Sequence, residues 1–255
     1  MNFSVLASGS KGNSSFIETN KTRILVDLGI TSGNAEKKLK SLNIEPSSIN
    51  AIVLTHTHVD HINGIKVFIK KYNPIIYLTS KMYNEISKII TIENYQIITD
   101  NFAISDLQVT VFKTSHDTDD SNGYVFEAYG KSIVYITDTG YINKKYFPIL
   151  SNKNYYIMES NHDVELLMNG SYPYYLKQRI IGDKGHLSNK DSSYYLSKFI
   201  GNDTKGVVLI HLSEENNDEE LALSTLKKTL KKSDKSIEKL IIAKQKERTE
   251  LIEVW

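Results

Sequence analysis

The run "NAIVLT" reads as a buried strand, and "HTHVDH" follows it at once, before a helical stretch "GIKVFIKKY". His56, His58, Asp60 and His61 therefore crowd one strand-to-helix corner. In extended backbone, side chains two apart point the same way, so His56 and His58 can reach one ion. The chain then turns, and Asp60 and His61 can reach a second. Imidazole and carboxylate donors suit zinc, manganese or iron. Few folds can use such a corner. It must lie where other segments deliver further donors, and a bridging carboxylate would hold two ions ~3.5–4 Å apart.

The rest of the chain offers those donors at predicted strand ends. His116 ends "VTVFKTSH", Asp138 ends "SIVYITD" and His211 ends "GVVLIH". With no cysteine in 255 residues, thiolate ligands, disulfides and a cysteine nucleophile are excluded. A formal net charge of +1 neither announces a polyanion partner nor excludes a local basic groove.

Around these residues the pattern alternates. "FSVLAS", "SSFIET" and "RILVDL" read as strands. "SGNAEKKLKSLNI" reads as a helix, with "PIIYLT" a strand and "SKMYNEISKII" a helix after it. "YQIIT", "LQVTVFKTSH", "NGYVFEAYG", "KSIVYITDTG" and "NYYIMES" return to strands, with a hairpin turn at Tyr129 to Lys131. The stretch from Asp163 to Ser188 looks irregular. Ser188 caps the helix "SNKDSSYYLSKFI", with Asp191 three residues on. "GVVLIHLS", the amphipathic helix "DEELALSTLKKTLKK", "KLIIAKQ" and "TELIEVW" complete the order. No composition break or repeat forces a boundary, so residues 1–255 are expected to form one α/β domain of two mostly β halves with helices outside.

Three further segments bear on the substrate. "LASGSKGNSS" is a Gly/Ser-rich turn whose Ser10, Lys11, Asn13 and Ser14 could donate to a phosphate. "ESNHD" holds His162. "GHLSN" sets His186 beside Ser188 at a helix N-terminus, a setting that suits a phosphate. The lysines of "LKKTLKKSDK" lie opposite a leucine stripe, the pattern of a solvated face.

In order, Asp27 in "VDLG", "THTHVDH", His116, Asp138 and His211 resemble the metallo-β-lactamase superfamily, over most of the chain. The resemblance implies a four-layer αβ/βα sandwich with two central mixed sheets and two divalent ions, zinc or manganese with iron as a further candidate, at their shared edge. It implies His56, His58 and His116 on the first ion, Asp60, His61 and His211 on the second, and Asp138 between them. Asp27 would orient the histidine loop by hydrogen bonds. Antibiotic-hydrolysing members carry cysteine where Asp138 stands, and redox di-iron members carry glutamate where His58 stands, so neither activity is expected. "SGSKGNS", "ESNHD", "GHLSN" and "HLSEENN" are similar to the YycJ (WalJ) subgroup. That likeness implies 5′→3′ exonuclease action on DNA rather than RNA. Asp60 and Asp138 would hold a metal-bridging hydroxide as nucleophile, and His186 would act as general acid. The alternative is a small-molecule hydrolase of thioesters, lactones or cyclic phosphodiesters on the same fold. The N-terminus lacks the basic and apolar regions of a secretory signal, and no apolar stretch approaches the roughly 18–20 residues of a membrane span. A cytoplasmic protein without a membrane partner is expected. Oligomeric state is not legible.

Overall fold

A computed structural model describes residues 1–254. The strands are β1 (Asn2–Ala7), β2 (Ser14–Glu18), β3 (Arg23–Val26), β4 (Ala51–Val53), β5 (Ile75–Leu78), β6 (Tyr95–Ile97), β7 (Phe102–Ile104), β8 (Leu107–Lys113), β9 (Asn122–Ala128), β10 (Lys131–Ile136), β11 (Tyr155–Glu159), β12 (Gly206–Ile210), β13 (Lys239–Ile242) and β14 (Ile252–Glu253). The helices are α1 (Ser32–Lys40), α2 (Val59–Ile62), α3 (Ile65–Tyr72), α4 (Ser80–Ile86), α5 (Phe147–Leu150), α6 (Val164–Asn169), α7 (Tyr174–Ile181), α8 (Asn189–Phe199) and α9 (Glu219–Lys232).

They form two seven-stranded mixed sheets, ordered β14-β1-β2-β3-β4-β5-β6 and β13-β12-β11-β10-β9-β8-β7. Each sheet is antiparallel in one half and parallel in the other. β3, β4, β5 and β6 pair parallel in the first sheet, and β10, β11, β12 and β13 in the second. Three apolar cores separate four layers. Phe3, Ile17, Tyr124, Phe126 and Ile157 pack between the sheets. Leu25, Leu39, Phe68 and Met82 fill the space under α1, α3 and α4. Val134, Tyr156, Leu196 and Leu226 do the same under α8 and α9. The central parallel strands β4, β11 and β12 are buried throughout, as strands covered on both faces must be. This is the expected αβ/βα sandwich.

The stretch from Asp163 to Ser188 departs from the irregular reading. It holds α6 and α7, short helices broken by Gly170 and Pro173, too brief for a clear helical period. Asp163 caps α6 by accepting from the backbone N–H groups of Glu165 and Leu166. Ser188 caps α8 as expected, accepting from the N–H of Asp191.

Asp106 stitches the two sheets together at one edge. Its carboxylate accepts the hydroxyls of Thr19 and Thr22, the N–H of Lys21 and the hydroxyl of Tyr129. Partial burial resists ionisation, yet these donors outweigh it and hold the carboxyl well below its ordinary 3.8. A lowered folded-state pKa means stability that is present above the unfolded value and lost as pH falls through the folded one. Asp106→Asn should therefore cost about 1–2 kcal/mol at neutral pH, allowing for solvent screening. The cost should shrink in strong acid. Chemical denaturation at neutral and strongly acidic pH measures both, and a cost independent of pH would refute the assignment.

Candidate metal centre

The ligand-type residues gather where the parallel strands end, the edge at which open α/β sheets hold their sites. Asp27 follows β3, His56 follows β4, Asp138 follows β10 and His211 follows β12. Asp27, Asp138 and His211 all adopt left-handed backbone, at φ 57°, 49° and 56°. That conformation costs an ordinary side chain about 1–3 kcal/mol and recurs at functional sites. Here it turns each chain sharply off its sheet, so that the side chain faces the common edge.

His56, His58 and His116 form one group with donor atoms within 4.8 Å of each other. The His116 and His58 rings approach Nε2 to Nδ1 at 3.2 Å. His56 is fully buried, its Nδ1 lies 3.0 Å from the Thr55 hydroxyl, and its Nε2 has no hydrogen-bond partner. Burial depresses the pKa of His56 well below its usual value, so the ring is neutral, the state a metal ligand needs.

Asp138 stands beside this group and a second one. Its Oδ2 lies 3.3 Å from His61 Nε2, and its Oδ1 lies 3.7 Å from His116 Nε2 and 3.4 Å from His211 Nδ1. Burial opposes its charge, but His211 and His61 prevail and hold its carboxyl well below the carboxylate range. Asp60 Oδ2 is 3.5 Å from His61 Nε2 and 4.0 Å from His211 Nε2. The Nε2 of His211 is also buried without a partner. Two orphaned imidazole nitrogens, one on each side of a buried carboxylate, fit divalent cations, which would satisfy both.

Asp27 is fully buried beneath the loop. Its Oδ1 accepts the N–H of Thr55 at 2.8 Å. Its Oδ2 accepts the Thr55 hydroxyl at 2.7 Å and faces His61 Nδ1 at 2.8 Å. It thereby aims the other nitrogen of His61 at Asp60 and Asp138.

Glu159, absent from the sequence-based candidates, is fully buried at the end of β11. Its Oε1 meets His186 Nδ1 at 2.7 Å and His211 Nδ1 at 2.8 Å. Its Oε2 accepts the N–H groups of Thr139 and Leu187. Burial resists its ionisation, but the two imidazoles and these donors bring the carboxyl down to about 2. For His186, burial favours the neutral ring, and Glu159 overcomes it, raising the pKa to about 9. Asp138, Glu159, His186 and His211 also lie close enough to form a ligand group of their own. The signal for Glu159 was its place at a strand end, as with Asp138 and His211.

The phosphate-binding expectations divide. Ser10 and His186 line a cleft of about 350 Å³ over the metal group, together with Asn161, Arg179, Lys184 and Ser213. The other candidates lie away from the cleft lining. Ser14 is fully buried and donates its hydroxyl to the Asp27 carbonyl. Asn13 is buried, with Nδ2 3.0 Å from His61 Nε2 and 3.3 Å from Asp60 Oδ2. Lys11 turns away to Glu214. His162 is buried, and burial pushes its imidazole down to about 4. Ser188 is buried and spends its hydroxyl on the α8 cap and on Asp191. Inward hydrogen bonds occupy Asn13, Ser14 and Ser188, an exposed ion pair occupies Lys11, and burial alone removes His162 from the cleft.

The Gly/Ser turn instead braces the histidine loop. The N–H of Asn13 donates to the Asp60 carbonyl, that of Gly29 to Asn13 and that of Leu28 to His61. A side chain on Gly29 would place Cβ 1.6 Å from the Asp60 carbonyl oxygen. Gly29→Ala should therefore displace Asp60 and His61 and weaken metal binding about 10–100-fold, the range for losing an outer support. Competition with a metallochromic chelator measures it, and unchanged affinity would show that the loop does not need this approach.

Residues 22–212 match the β-lactamase superfamily domain. "Exodeoxyribonuclease WalJ" of Streptococcus pneumoniae serotype 2 (strain D39) is 38% identical over 239 residues, 91% of this chain and 89% of that protein. "Exodeoxyribonuclease YycJ" of Bacillus anthracis is 34% identical over 235 residues, 90% of this chain and 89% of that protein. The metallo-β-lactamase fold protein YhfI from Bacillus subtilis superposes with a TM-score of 0.73 at 16% identity, covering 97% of this chain and 98% of that one. Human tRNase Z, short form, superposes at 0.67 with 13% identity and full coverage of both chains. At such identities these two structures speak for the fold alone.

Proposed function

Since the chain belongs to the metallo-β-lactamase superfamily and is a metal-dependent hydrolase, we propose that it is a 5′→3′ DNA exonuclease served by two divalent ions, zinc or manganese. The observation that carries this reading is Asp138, a buried carboxylate with Oδ1 toward His116 and His211 and Oδ2 toward His61. The named activity of the WalJ and YycJ relatives supports DNA as substrate. The cleft supports a polar substrate, since serines, an asparagine and two cations line it. A thioesterase or lactonase would need an apolar pocket.

His56, His58 and His116 would hold the first ion. Asp60, His61 and His211 would hold the second, with Asp138 shared. Such ions lower the pKa of water to near neutrality and offset charge on phosphoryl oxygens. His186, kept protonated by Glu159, donates a hydrogen bond to the phosphate and a proton to the leaving oxygen. Arg179 and Lys184 meet neighbouring non-bridging oxygens. Asp117 engages Arg179 at 2.5 Å and holds α7 beside the cleft. Ser10 offers a further hydroxyl.

The test incubates purified protein with 5′-labelled single- and double-stranded DNA and RNA under Mn²⁺ or Zn²⁺. Early release of the 5′ label as a mononucleotide from DNA is the expected result. Hydrolysis of a small thioester, lactone or cyclic phosphodiester with no cleavage of polymer would overturn it. Among the described residues no helix is long and apolar enough to cross a membrane.

A further inference from the structure

The metal cleft is one end of a longer surface groove. Its wall at His58, Asp117 and Lys184 is shared with a second hollow of about 570 Å³, beside Thr57 and Glu85. That hollow shares Lys88 and Ile89 with a third, of about 660 Å³, which Lys66 and Lys70 of α3 also line. The groove thus runs from α7, past the first histidine group and the end of α4, to α3.

Its charge is of a distinct kind. Lys184, Lys88, Lys66 and Lys70 are all exposed, and among the described residues none of them joins an ion pair. Elsewhere Lys11, Lys71, Lys113 and Lys153 each hold a carboxylate. The acids of the middle hollow are partly spent. Asp117 is offset by Arg179, and Glu85, which accepts the Thr57 hydroxyl, and Asp119 stand against Lys88 and Lys184. In the third hollow Glu93 stands against three lysines. Lys66 also sits in the first turn of α3, where the helix dipole disfavours a cation, so local helix stability does not account for it. On the other flank of the cleft, across Ser213, the adjoining hollow is lined by Glu214, Asp218, Glu219 and Glu247 against Lys244 and Lys246. Glu214 is paired with Lys11 and Glu219 with Lys244, which leaves Asp218 and Glu247 against Lys246. A polyanion leaving the cleft is therefore drawn toward α3 and α4 and repelled from the opposite side.

We propose that this groove carries the undigested part of a single DNA strand, with Lys88, Lys66 and Lys70 neutralising its phosphates at a distance from the metal centre. The inference rests on the nuclease reading and adds the path and the dependence on strand length.

The test compares the unaltered, metal-loaded protein with the combined change Lys66→Glu, Lys70→Glu, Lys88→Glu. Two substrates are used, a single strand of about 20 nucleotides and bis(p-nitrophenyl) phosphate, which is too short to enter the groove. KM for the strand should rise about tenfold, and the slope of its logarithm against log salt should flatten by about 2, near 0.7 for each lost contact. Turnover of the small diester should stay unchanged, which also reports an intact fold and metal centre. An unchanged KM for the strand, or an equal loss on both substrates, overturns the proposal. Failure of the unaltered protein to cut DNA would remove the nuclease reading itself. Cleavage with unchanged KM removes only the groove.

Discussion

Asp138→Ala is expected to lower hydrolytic turnover by about a thousandfold or more while the far-ultraviolet circular dichroism stays that of the folded protein. The carboxylate is buried with imidazoles on several sides, His61 at 3.3 Å, His211 at 3.4 Å and His116 at 3.7 Å. Removing it leaves cationic or metal-directed groups without the one anion they share. Metal content measured on the purified variant should fall with activity, because the remaining donors divide into two incomplete sets. A variant that kept its turnover would show that Asp138 is not part of the catalytic centre.

The second large effect concerns His186 and Glu159. His186→Ala should reduce turnover about 10²–10⁴-fold, the range of a positioned proton donor, with metal content unchanged. The pH dependence follows from the same geometry. Burial alone would lower the imidazole pKa, but Glu159 raises it to about 9, so the ring is a proton donor at any pH below that. Turnover that needs this proton should decline as pH rises through about 9. Glu159→Gln keeps the shape and removes the charge. It should move the alkaline limb toward the ordinary 6.5 of histidine and lower turnover at neutral pH. Metal loss in His186→Ala would instead make the residue a ligand in the group it forms with Asp138, Glu159 and His211. An alkaline limb that ignores Glu159→Gln would leave some other group as the donor.

The fold was legible wherever a short element carried a strong period or sharp punctuation. The β10 hairpin announced itself by Tyr129 and Gly130, which take left-handed backbone at φ 54° and 71°. α6 and α7 did not, because six and eight residues broken by Gly and Pro hold too few turns for an apolar face to show. Candidate donors were legible by position. Asp138 and His211 follow apolar runs, and a strand that ends in such a residue has one place to put it.

Glu159 escaped because its partners are remote. His186 lies 27 residues away and His211 lies 52 away, so no local cluster marks it. The orientation of the "SGSKGNS" turn was not legible for a related reason. Small polar residues can face outward to a phosphate or inward to a carbonyl, and composition is the same for both. Here Asn13 and Ser14 face inward, to Asp60, His61 and Asp27.

The amino-acid sequence by itself determined the chemistry of the donors. With no cysteine, and with three histidines and an aspartate at one strand-to-helix corner, any metal had to be held by imidazole and carboxylate. The tertiary structure decided which of those donors remain free. Most buried polar atoms at the site find partners, and those partners come from strands far apart in the chain that meet only at the sandwich edge. Asp27 claims one nitrogen of His61 and Glu159 claims one of His211, while the Nε2 atoms of His56 and His211 stay without partners. Hydrogen-bond capacity is local to a residue, but whether it is already spent is a property of the folded molecule.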